Sequence, residues 1–444
     1  MSRTDSPSKG PKQQVRRRAA LAGMFGTAIE NFDLSLYAYL VIFTAPTFFP
    51  TGNAATAVIA SLAVFAVGFL SRPLGGIVFG RMGDRHGRRF TLLVTVVLMG
   101  VSTGALGLIP GYATIGIWAP ILLVVVRLLQ GFSAGGEVIG AATYVVESST
   151  PGRRGLFASA TPLGAVLGVA MAPVVVGVFT VALGSEAMAA GGWRFAFLVA
   201  LPLTALCLYF RLRIEDSPEY LDLVERREVA HAPVREALQR HWRGVVAVML
   251  LALSIFFVGY TLTAYMPVFL ASTVGIAPAT VNWLSAVVLL LAAPAVLLGG
   301  FSVDRYGRRA VMVAAFAVTC VVAFPAMTLM TGAGNSAFTV GLAYWVLLFS
   351  AYAAMPAAYK SFSDLFPTRI RYTAAAIGFN VGNVIGGGFG PYFTAQVTEW
   401  TGDSRSPALL LGLAAVIGIG TMLVITRKNR PGAQEHTDLV TPAT

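Results

Sequence analysis

Long apolar runs alternate with short polar segments along the whole chain. A helix that crosses a bilayer needs about 20 apolar residues, and twelve runs of that length occur. They cover residues 19–46, 54–80, 90–110, 116–146, 155–183, 193–211, 244–272, 279–301, 310–332, 336–362, 372–400 and 406–426. Several are longer than a straight crossing needs, so we expect tilted or extended helices. The pattern predicts an all-α membrane protein with twelve transmembrane helices.

Two polar loops have nearly the same sequence. Residues 80–89 and 300–309 both read Gly-x-x-x-Asp-Arg-x-Gly-Arg-Arg, 220 positions apart. A second motif, an acid followed by Pro and then basic residues, recurs at 147–154 and 364–371. Duplicated loops between apolar spans predict two pseudo-symmetric six-helix bundles, as in transporters built from repeats.

The duplication sets the expected domain boundaries. They are a tail 1–18, a first bundle 19–211, a central loop 212–243, a second bundle 244–427 and a tail 428–444. Within the central loop, charged residues alternate with Leu and Val over 222–239. This alternation fits either a short amphipathic helix at the membrane surface or a solvated linker.

Composition and charge agree with a membrane location. The 444 residues are 56% hydrophobic and 12% charged, whereas soluble domains carry about twice that charge. The net charge is +12, but the basic residues gather in the tails, the duplicated loops and the central loop. Only Arg194 and Arg405 lie near the opposite ends of the predicted spans. This asymmetry predicts a multi-pass cell-membrane protein with both termini in the cytoplasm, and it leaves no soluble basic face for nucleic acid.

Six charged residues lie well inside the apolar spans. They are Glu30, Asp33, Arg72, Arg127, Glu137 and Lys360. A charge in hydrocarbon is costly, so each should face a polar interior or a partner. Three acids against three bases predict mutual compensation in which a substrate or a proton takes part.

The first span holds two of these acids on one face. Glu30 and Asp33 are three residues apart, and Tyr37 continues their face one turn on. At about 1.5 Å per residue they lie near the middle of the bilayer. Two carboxylates in a partly dry cavity repel each other, which favours a proton on one of them. We therefore expect proton coupling through Glu30, Asp33 or Glu137; the alternative is a structural pair neutralised by an interior arginine.

The fourth span carries a polar stripe. Arg127, Gln130, Ala134 and Glu137 follow a 3-4-3 spacing and so share one face. Arg127 is expected to hold a substrate carboxylate with its planar fork, unless it is permanently paired with an acid. Arg72 in the second span is a further substrate contact, or a side chain that snorkels to the membrane surface.

The second half adds polar candidates of its own. Tyr352 and Tyr359 lie in the tenth span, and Asn380 and Asn383 lie in a Gly-rich stretch of the eleventh. For Lys360, pairing with Asp364 one turn along the helix is the preferred interpretation. The substrate-binding residues expected from both halves are Tyr37, Arg72, Arg127, Gln130, Tyr359, Asn380 and Asn383.

Five motifs carry a family resemblance. They lie at 69–76, 80–89, 114–120, 130–137 and 366–372. With them the chain resembles the major facilitator superfamily and, within it, the metabolite:H⁺ symporter family, which includes proline/betaine, citrate, α-ketoglutarate and shikimate transporters. The resemblance implies a central substrate site and proton-driven uptake. The family's Glu-Trp-Tyr-Asp-Phe pattern reads Glu30-Asn31-Phe32-Asp33-Leu34 here, so proton coupling carries over better than substrate identity.

The resemblance also implies a latch at the duplicated loops. Asp84 is expected near the start of the eleventh span, where the positive end of the helix dipole favours a carboxylate, and Asp304 would mirror it. The alternative is that these charges fix topology and anchor tight turns. The expected latch residues are Gly80, Asp84, Arg85, Gly87, Arg88, Arg89, Glu147, Asp304, Arg308 and Asp364.

These features favour a proton-coupled symporter that imports a small carboxylate-bearing metabolite or a zwitterion by alternating access. The first alternative is a proton-driven exporter or antiporter, although the fifth span lacks the Gly-Pro-x-x-Gly-Gly signature of drug antiporters. A non-transporting sensor would need a soluble output domain. An enzyme is not expected, because all four histidines lie in loops or tails. We expect no metal, no cofactor besides the coupling proton, and a functional monomer in the bilayer.

Overall fold

The computed structural model describes residues 11–86, 88–135, 156, 158–212, 233–332, 334, 336–366 and 368–428. Within these residues the chain is almost entirely helical. The predicted latch and coupling residues Gly87, Glu137 and Glu147 lie outside the described part of the chain.

The helices of the first half correspond to predicted spans one to six. They are α1 (Pro11–Phe48), α2 (Ala54–Leu70), α3 (Arg72–His86), α4 (Arg88–Leu108), α5 (Tyr112–Ile115), α6 (Trp118–Ala134), α7 (Ala160–Leu183), α8 (Ser185–Ala187), a π-helical turn (Met188–Gly192), α9 (Trp193–Leu198) and α10 (Ala200–Leu212). The second span consists of α2 and α3, which meet at Ser71. α2 begins where the Asn53 side chain accepts hydrogen bonds from the first free backbone N–H groups.

The helices from the central loop onwards include those of spans seven to twelve. They are α11 (Pro233–Arg240), α12 (Trp242–Tyr260), a π-helical turn (Thr261–Tyr265), α13 (Met266–Ser272), α14 (Pro278–Ala292), α15 (Pro294–Tyr306), α16 (Arg308–Thr331), α17 (Ala337–Asp364), α18 (Thr368–Asn383), a π-helical turn (Val384–Gly388), α19 (Phe389–Thr401) and α20 (Pro407–Lys428). α11 belongs to the central loop and overlaps the last part of the amphipathic segment predicted there.

Most of the described helices are suited to a bilayer. Eight helical segments are long and apolar enough to cross a membrane, and two shorter apolar helices, Leu93–Leu108 and Trp118–Ala134, belong to spans three and four. The first and eleventh spans are helical as well but contain buried polar side chains, among them Asp33 and Asn383. The all-α membrane architecture predicted from the apolar runs is therefore confirmed.

Glycines allow the closest helix contacts, and they do so in the same way in both halves. α1 packs against α7, where a Cβ on Gly168 would collide with the backbone of Ala28. α12 packs against α18, where a Cβ on Gly382 would collide with the backbone of Met249. Backbones approach this closely only where the interface residue is small. The packing of spans one and five is thus repeated by spans seven and eleven.

The two halves touch on both sides of the protein's centre. Near the duplicated loops, the Ser159 hydroxyl donates to the Val296 carbonyl at 3.1 Å. Near the other end, the Trp283 ring lies 3.3 Å from where a Cβ on Gly177 would stand. Between these contacts lies a cavity lined by both halves, and Glu30 and Arg72, two of the charged residues that the sequence places inside the spans, line it.

Candidate substrate and proton-coupling site

A central cavity lies between the halves and has about 610 Å³ of unfilled space. Both halves contribute to its wall. Its lining residues are Thr27, Glu30, Asn31, Arg72, Ala165, Val166, Val169, Phe256, Gly259, Tyr260, Thr263, Tyr352, Met355, Tyr359, Phe379 and Asn383. A mostly apolar wall with a few polar groups is typical of a site for a small molecule.

One acid and one base face this cavity. Glu30 is 3% exposed and Arg72 is 5% exposed, so Arg72 does not snorkel to the membrane surface. Its guanidinium carbon lies 4.3 Å from the centroid of the Phe69 ring, a cation–π contact. Ser71, just before it, donates to the Leu128 carbonyl of α6 at 2.7 Å and so ties the start of α3 to the neighbouring helix.

Aromatic rings form much of the remaining wall. The Phe256 and Phe379 rings meet edge to face with centroids 5.2 Å apart, and Tyr359 packs against Phe379. Tyr260 of the second half contacts Phe69 of the first half, and their ring centroids are 5.5 Å apart. The Tyr352 hydroxyl is buried and has no hydrogen-bond partner among the described residues.

Polar amides complete the cavity. Asn383 lines it, and its buried Oδ1 accepts no hydrogen bond from the described residues. Asn31, which departs from the family pattern, also lines it and donates to the Thr27 carbonyl at 2.8 Å. Asn380 lies half-buried outside the described lining and donates to the Ala376 carbonyl of its own helix.

A smaller inner cavity adjoins the central one on the side of the first half. Glu30 and Arg72 belong to the walls of both. The inner wall also includes Arg127 and Gln130, which do not belong to the lining of the central cavity as the described residues define it. These two predicted substrate contacts therefore lie one layer behind the space in which a substrate would sit.

Arg127 is held by aromatic rings and an amide. Its guanidinium carbon lies 4.4 Å from the Tyr37 centroid and 5.2 Å from that of Phe65, and its Nη1 donates to Gln130 Oε1. Its Nε and Nη2 have no hydrogen-bond partner among the described residues. Tyr37, another predicted substrate contact, lies beneath Arg127 and donates to the Ser61 carbonyl at 3.1 Å. No ion pair between Arg127 and an acid is found among the described side chains.

Asp33 is the most deeply placed acid. It is 1% exposed and belongs to neither cavity wall among the described residues. Neither of its carboxyl oxygens makes a hydrogen bond to them. Glu30 and Asp33 thus share a helix but not a surrounding, because Glu30 lines both cavities and Asp33 lines neither among the described residues.

Two contacts involve the described residues of the predicted latch. Arg308 Nη1 lies 3.0 Å from Asp364 Oδ2 as an ion pair, and the backbone N–H of Leu156 donates to Asp304 Oδ2 at 3.0 Å. No ion pair between Lys360 and Asp364 is found among the described side chains, so the pairing that we expected from their one-turn spacing is not present. The surroundings of Gly80 and the side chains of Asp84, Arg85, Arg88 and Arg89 lie outside what the structure describes.

Sequence reasoning missed Tyr260, Phe256 and Phe379 as cavity residues. The sequence contains a pattern that could have identified Tyr260 and Phe256. Thr27, Glu30 and Asn31 have the spacing i, i+3, i+4, and Phe256, Gly259 and Tyr260 repeat it in the corresponding span of the second half. The duplicated architecture thus places one face of span seven opposite the same face of span one.

Comparison with known proteins decides the family. A model described as "Sugar (and other) transporter" matches residues 19–431. The proline/betaine transporter of Salmonella typhimurium is 34% identical over 430 residues, which cover 94% of this chain and 84% of the relative. The chain belongs to the major facilitator superfamily. The sequence resemblance is therefore confirmed, and the protein is a secondary transporter rather than an enzyme.

Two further matches extend this assignment. The glycine betaine/proline/ectoine/pipecolic acid transporter of Dickeya dadantii is 33% identical over 427 residues, covering 94% of this chain and 84% of the relative. Among solved structures, the D-xylose–proton symporter superposes with a TM-score of 0.73 at 18% identity, over 91% of this chain and 97% of that one. This superposition confirms the twelve-helix fold of a multi-pass membrane protein.

Proposed function

We propose that the protein imports small zwitterions, such as proline or a betaine, across the cell membrane together with protons. The observation that carries this proposal is the presence of one buried acid, Glu30, and one buried base, Arg72, in the wall of the same aromatic-lined cavity. A zwitterion has one carboxylate and one cationic nitrogen, and this cavity offers a partner for each. The relatives of this protein that are named as proline/betaine transporters support the same substrate class.

The two ends of such a substrate would meet different walls. The Arg72 guanidinium would hold the carboxylate, because its planar fork matches two oxygens. The cationic nitrogen would lie against the faces of Tyr260, Tyr352 and Tyr359, whose ring electrons attract cations. Glu30 and the Asn383 Oδ1 would accept hydrogen bonds from a nitrogen that carries N–H groups.

Proton coupling is proposed through the acids of α1. Glu30 contacts the substrate cavity, so its charge state and substrate binding would influence each other directly. Asp33 lies behind it, out of reach of the substrate. The positive-inside asymmetry supports cytoplasmic termini. The Leu156–Asp304 hydrogen bond between the halves then lies at the cytoplasmic end, where it would favour closure on that side, and the Arg308–Asp364 ion pair lies at the same end within the second half.

Purified protein in proteoliposomes tests the proposal. Labelled proline, glycine betaine, citrate and xylose are offered with an acidic exterior and a neutral lumen, and internal pH is followed with a trapped dye. We expect the zwitterions to accumulate and the lumen to acidify with them. Accumulation of citrate or xylose without the zwitterions would refute the substrate class. Zwitterion loss from loaded vesicles, driven by inward proton flow, would indicate the exporter instead.

A further inference from the structure

Three buried polar residues form a hydrogen-bonded chain behind the central cavity, and the carboxyl of a fourth, Asp33, lies beside its end. Arg127 Nη1 donates to Gln130 Oε1, and Gln130 Nε2 donates to the Thr103 hydroxyl at 2.7 Å. The Thr103 hydroxyl in turn faces the Asp33 carboxyl without reaching hydrogen-bond geometry. None of the four is more than 3% exposed. The chain thus extends from Arg127, which lines the inner cavity, to the neighbourhood of Asp33, which lines neither cavity among the described residues.

The Thr103 hydroxyl has two ways to arrange its hydrogen bonds. It owns one proton and two lone pairs. Its proton goes to the Met99 carbonyl, one turn back on α4, at 3.0 Å, while one lone pair accepts from Gln130. The second lone pair suits a protonated Asp33. An ionised Asp33 is a stronger acceptor than a carbonyl and would draw the Thr103 proton away from Met99.

Gln130 connects a reorientation of the Thr103 hydroxyl to Arg127. Its carbonyl oxygen and its amide nitrogen hold the two neighbours at once, so a shift of the Thr103 hydroxyl moves the group that orients the guanidinium. The other contacts of the Arg127 guanidinium are with the faces of the Tyr37 and Phe65 rings, which do not fix how the guanidinium is rotated in its own plane. Its Nε and Nη2 have no hydrogen-bond partner among the described residues.

We infer that Thr103 and Gln130 are positioning residues that transmit the protonation state of Asp33 to the Arg127 guanidinium. The inference rests on the proposed proton coupling. It gives Gln130 a role other than the substrate contact expected from its place on the polar stripe. It also explains how an acid outside both described cavity walls affects the inner cavity, which shares Glu30 and Arg72 with the substrate space.

Other ionisable groups surround this chain and belong in any measurement of pH dependence. They are Glu30 and Tyr37 of α1, Arg72 of α3 and Tyr260 of α12. Because Glu30 is a second ionisable acid close to this chain, the test must separate a loss of the link from a loss of the coupling acid. Substitutions at Thr103 do so, since they leave every ionisable group in place.

Three substitutions of buried threonines form the experiment. Thr103→Val removes the hydroxyl at nearly constant shape, and Thr103→Ser keeps it. Thr204→Val is the matched control, because Thr204 is also buried and donates to a carbonyl one turn back at 2.7 Å, but lies outside the chain. Each variant is assayed in proteoliposomes for gradient-driven proline accumulation at several external pH values, and for proline exchange across vesicles without a gradient.

We expect Thr103→Val to lower accumulation about tenfold and to flatten its dependence on external pH, while exchange stays close to the parent rate. Gln130→Leu should behave alike, and Thr103→Ser should restore most of the accumulation. Accumulation in Thr103→Val equal to that in Thr204→Val would overturn the inference. Equal loss of exchange and accumulation in both Thr103 variants would also overturn it, because the residue would then be structural. A parent protein that moves no protons with proline would refute the proposed function, and this inference with it.

Discussion

The backbone N–H of Leu156 donates to Oδ2 of Asp304 across 3.0 Å, and the two residues belong to different halves of the protein. Asp304 stands in the second duplicated loop, and Leu156 precedes α7 in the first half. A carboxylate that accepts from a backbone N–H is a charge-assisted contact. This hydrogen bond therefore stabilises the arrangement in which the halves touch at the loop end.

Replacing Asp304 with Ala should favour opening at this end. The contact is partly exposed, so we expect a loss of about 1 kcal/mol, roughly a fivefold shift in population. A single cysteine at position 283, in a background without Cys207 and Cys320, reports the opposite end, where Trp283 approaches Gly177. Labelling from outside should slow in Asp304→Ala.

Asp403→Ala is the control for that experiment. Asp403 is an exposed aspartate between α19 and α20, and the side-chain hydrogen bond from Arg405 lowers its pKa, so it is also charged. It makes no described contact across the halves. Labelling unchanged in Asp304→Ala, or slowed as much in Asp403→Ala, would contradict the role given to Asp304.

Neutralising Glu30 should separate transport from proton coupling. Glu30→Gln keeps the shape and polarity of a side chain that faces both cavities but cannot release a proton. We expect gradient-driven accumulation to fall to the equilibrium level while proline exchange persists. Glu399→Gln, at an exposed position of α19, serves as the control. Undiminished accumulation in Glu30→Gln would show that another residue carries the coupling proton. Asp33→Asn would then be the next variant to measure.

Arg72 should be sensitive to the loss of its planar fork. Arg72→Lys retains one positive charge but offers a point donor in place of two parallel ones. Losing one charge-assisted hydrogen bond costs about 1.5–3 kcal/mol, so KM for proline should rise by roughly ten- to hundredfold. Arg405→Lys, at an exposed position, should leave KM unchanged. A KM within twofold of the parent in Arg72→Lys would reduce Arg72 to a general charge.

The charged part of the site was predictable from sequence, and the reason is energetic. Glu30, Asp33, Arg72 and Arg127 interrupt apolar spans, and an intramembrane charge needs a polar surrounding. The spacing of a stripe shows which residues share a face, however, and not which helix covers that face. Gln130 was therefore assigned to the substrate, while in the structure α4 covers it through Thr103.

Aromatic and backbone partners were harder to predict. Aromatic residues are common in membrane helices, so Phe256 and Phe379 carry no signal by themselves. Leu156 contributes a backbone N–H, which every residue except proline has, and its partner Asp304 is 148 positions away. Contacts of this kind depend on how the halves dock, whereas the duplicated motifs report only that two halves exist.

Two glycines in helices should respond oppositely to alanine. A Cβ on Gly382 would collide with the Met249 backbone, while one on Gly420 meets nothing within 4 Å. Gly420→Ala should stabilise by about 0.5–1 kcal/mol, because glycine loses more backbone entropy on folding. Gly382→Ala should destabilise by about 1–3 kcal/mol through overpacking. Thermal unfolding in detergent measures both, and an equal change in Tm would show that α12 and α18 are not in close contact.

The aromatic wall should distinguish one zwitterion from another. Tyr359 lines the cavity and packs against Phe379. Glycine betaine carries a quaternary ammonium without N–H groups, so ring faces are its main cation partners, whereas the proline nitrogen can also donate to Glu30. A cation–π contact is worth about 0.5–2 kcal/mol, and Tyr359→Leu should thus weaken betaine uptake by roughly three- to thirtyfold. Proline uptake should fall less, and Tyr359→Phe, which keeps the ring, should retain the preference.

Competition between the two labelled substrates in one vesicle preparation measures the ratio directly. Equal losses for both substrates, or a Phe variant as impaired as Leu, would mean that the ring at position 359 does not hold the ammonium.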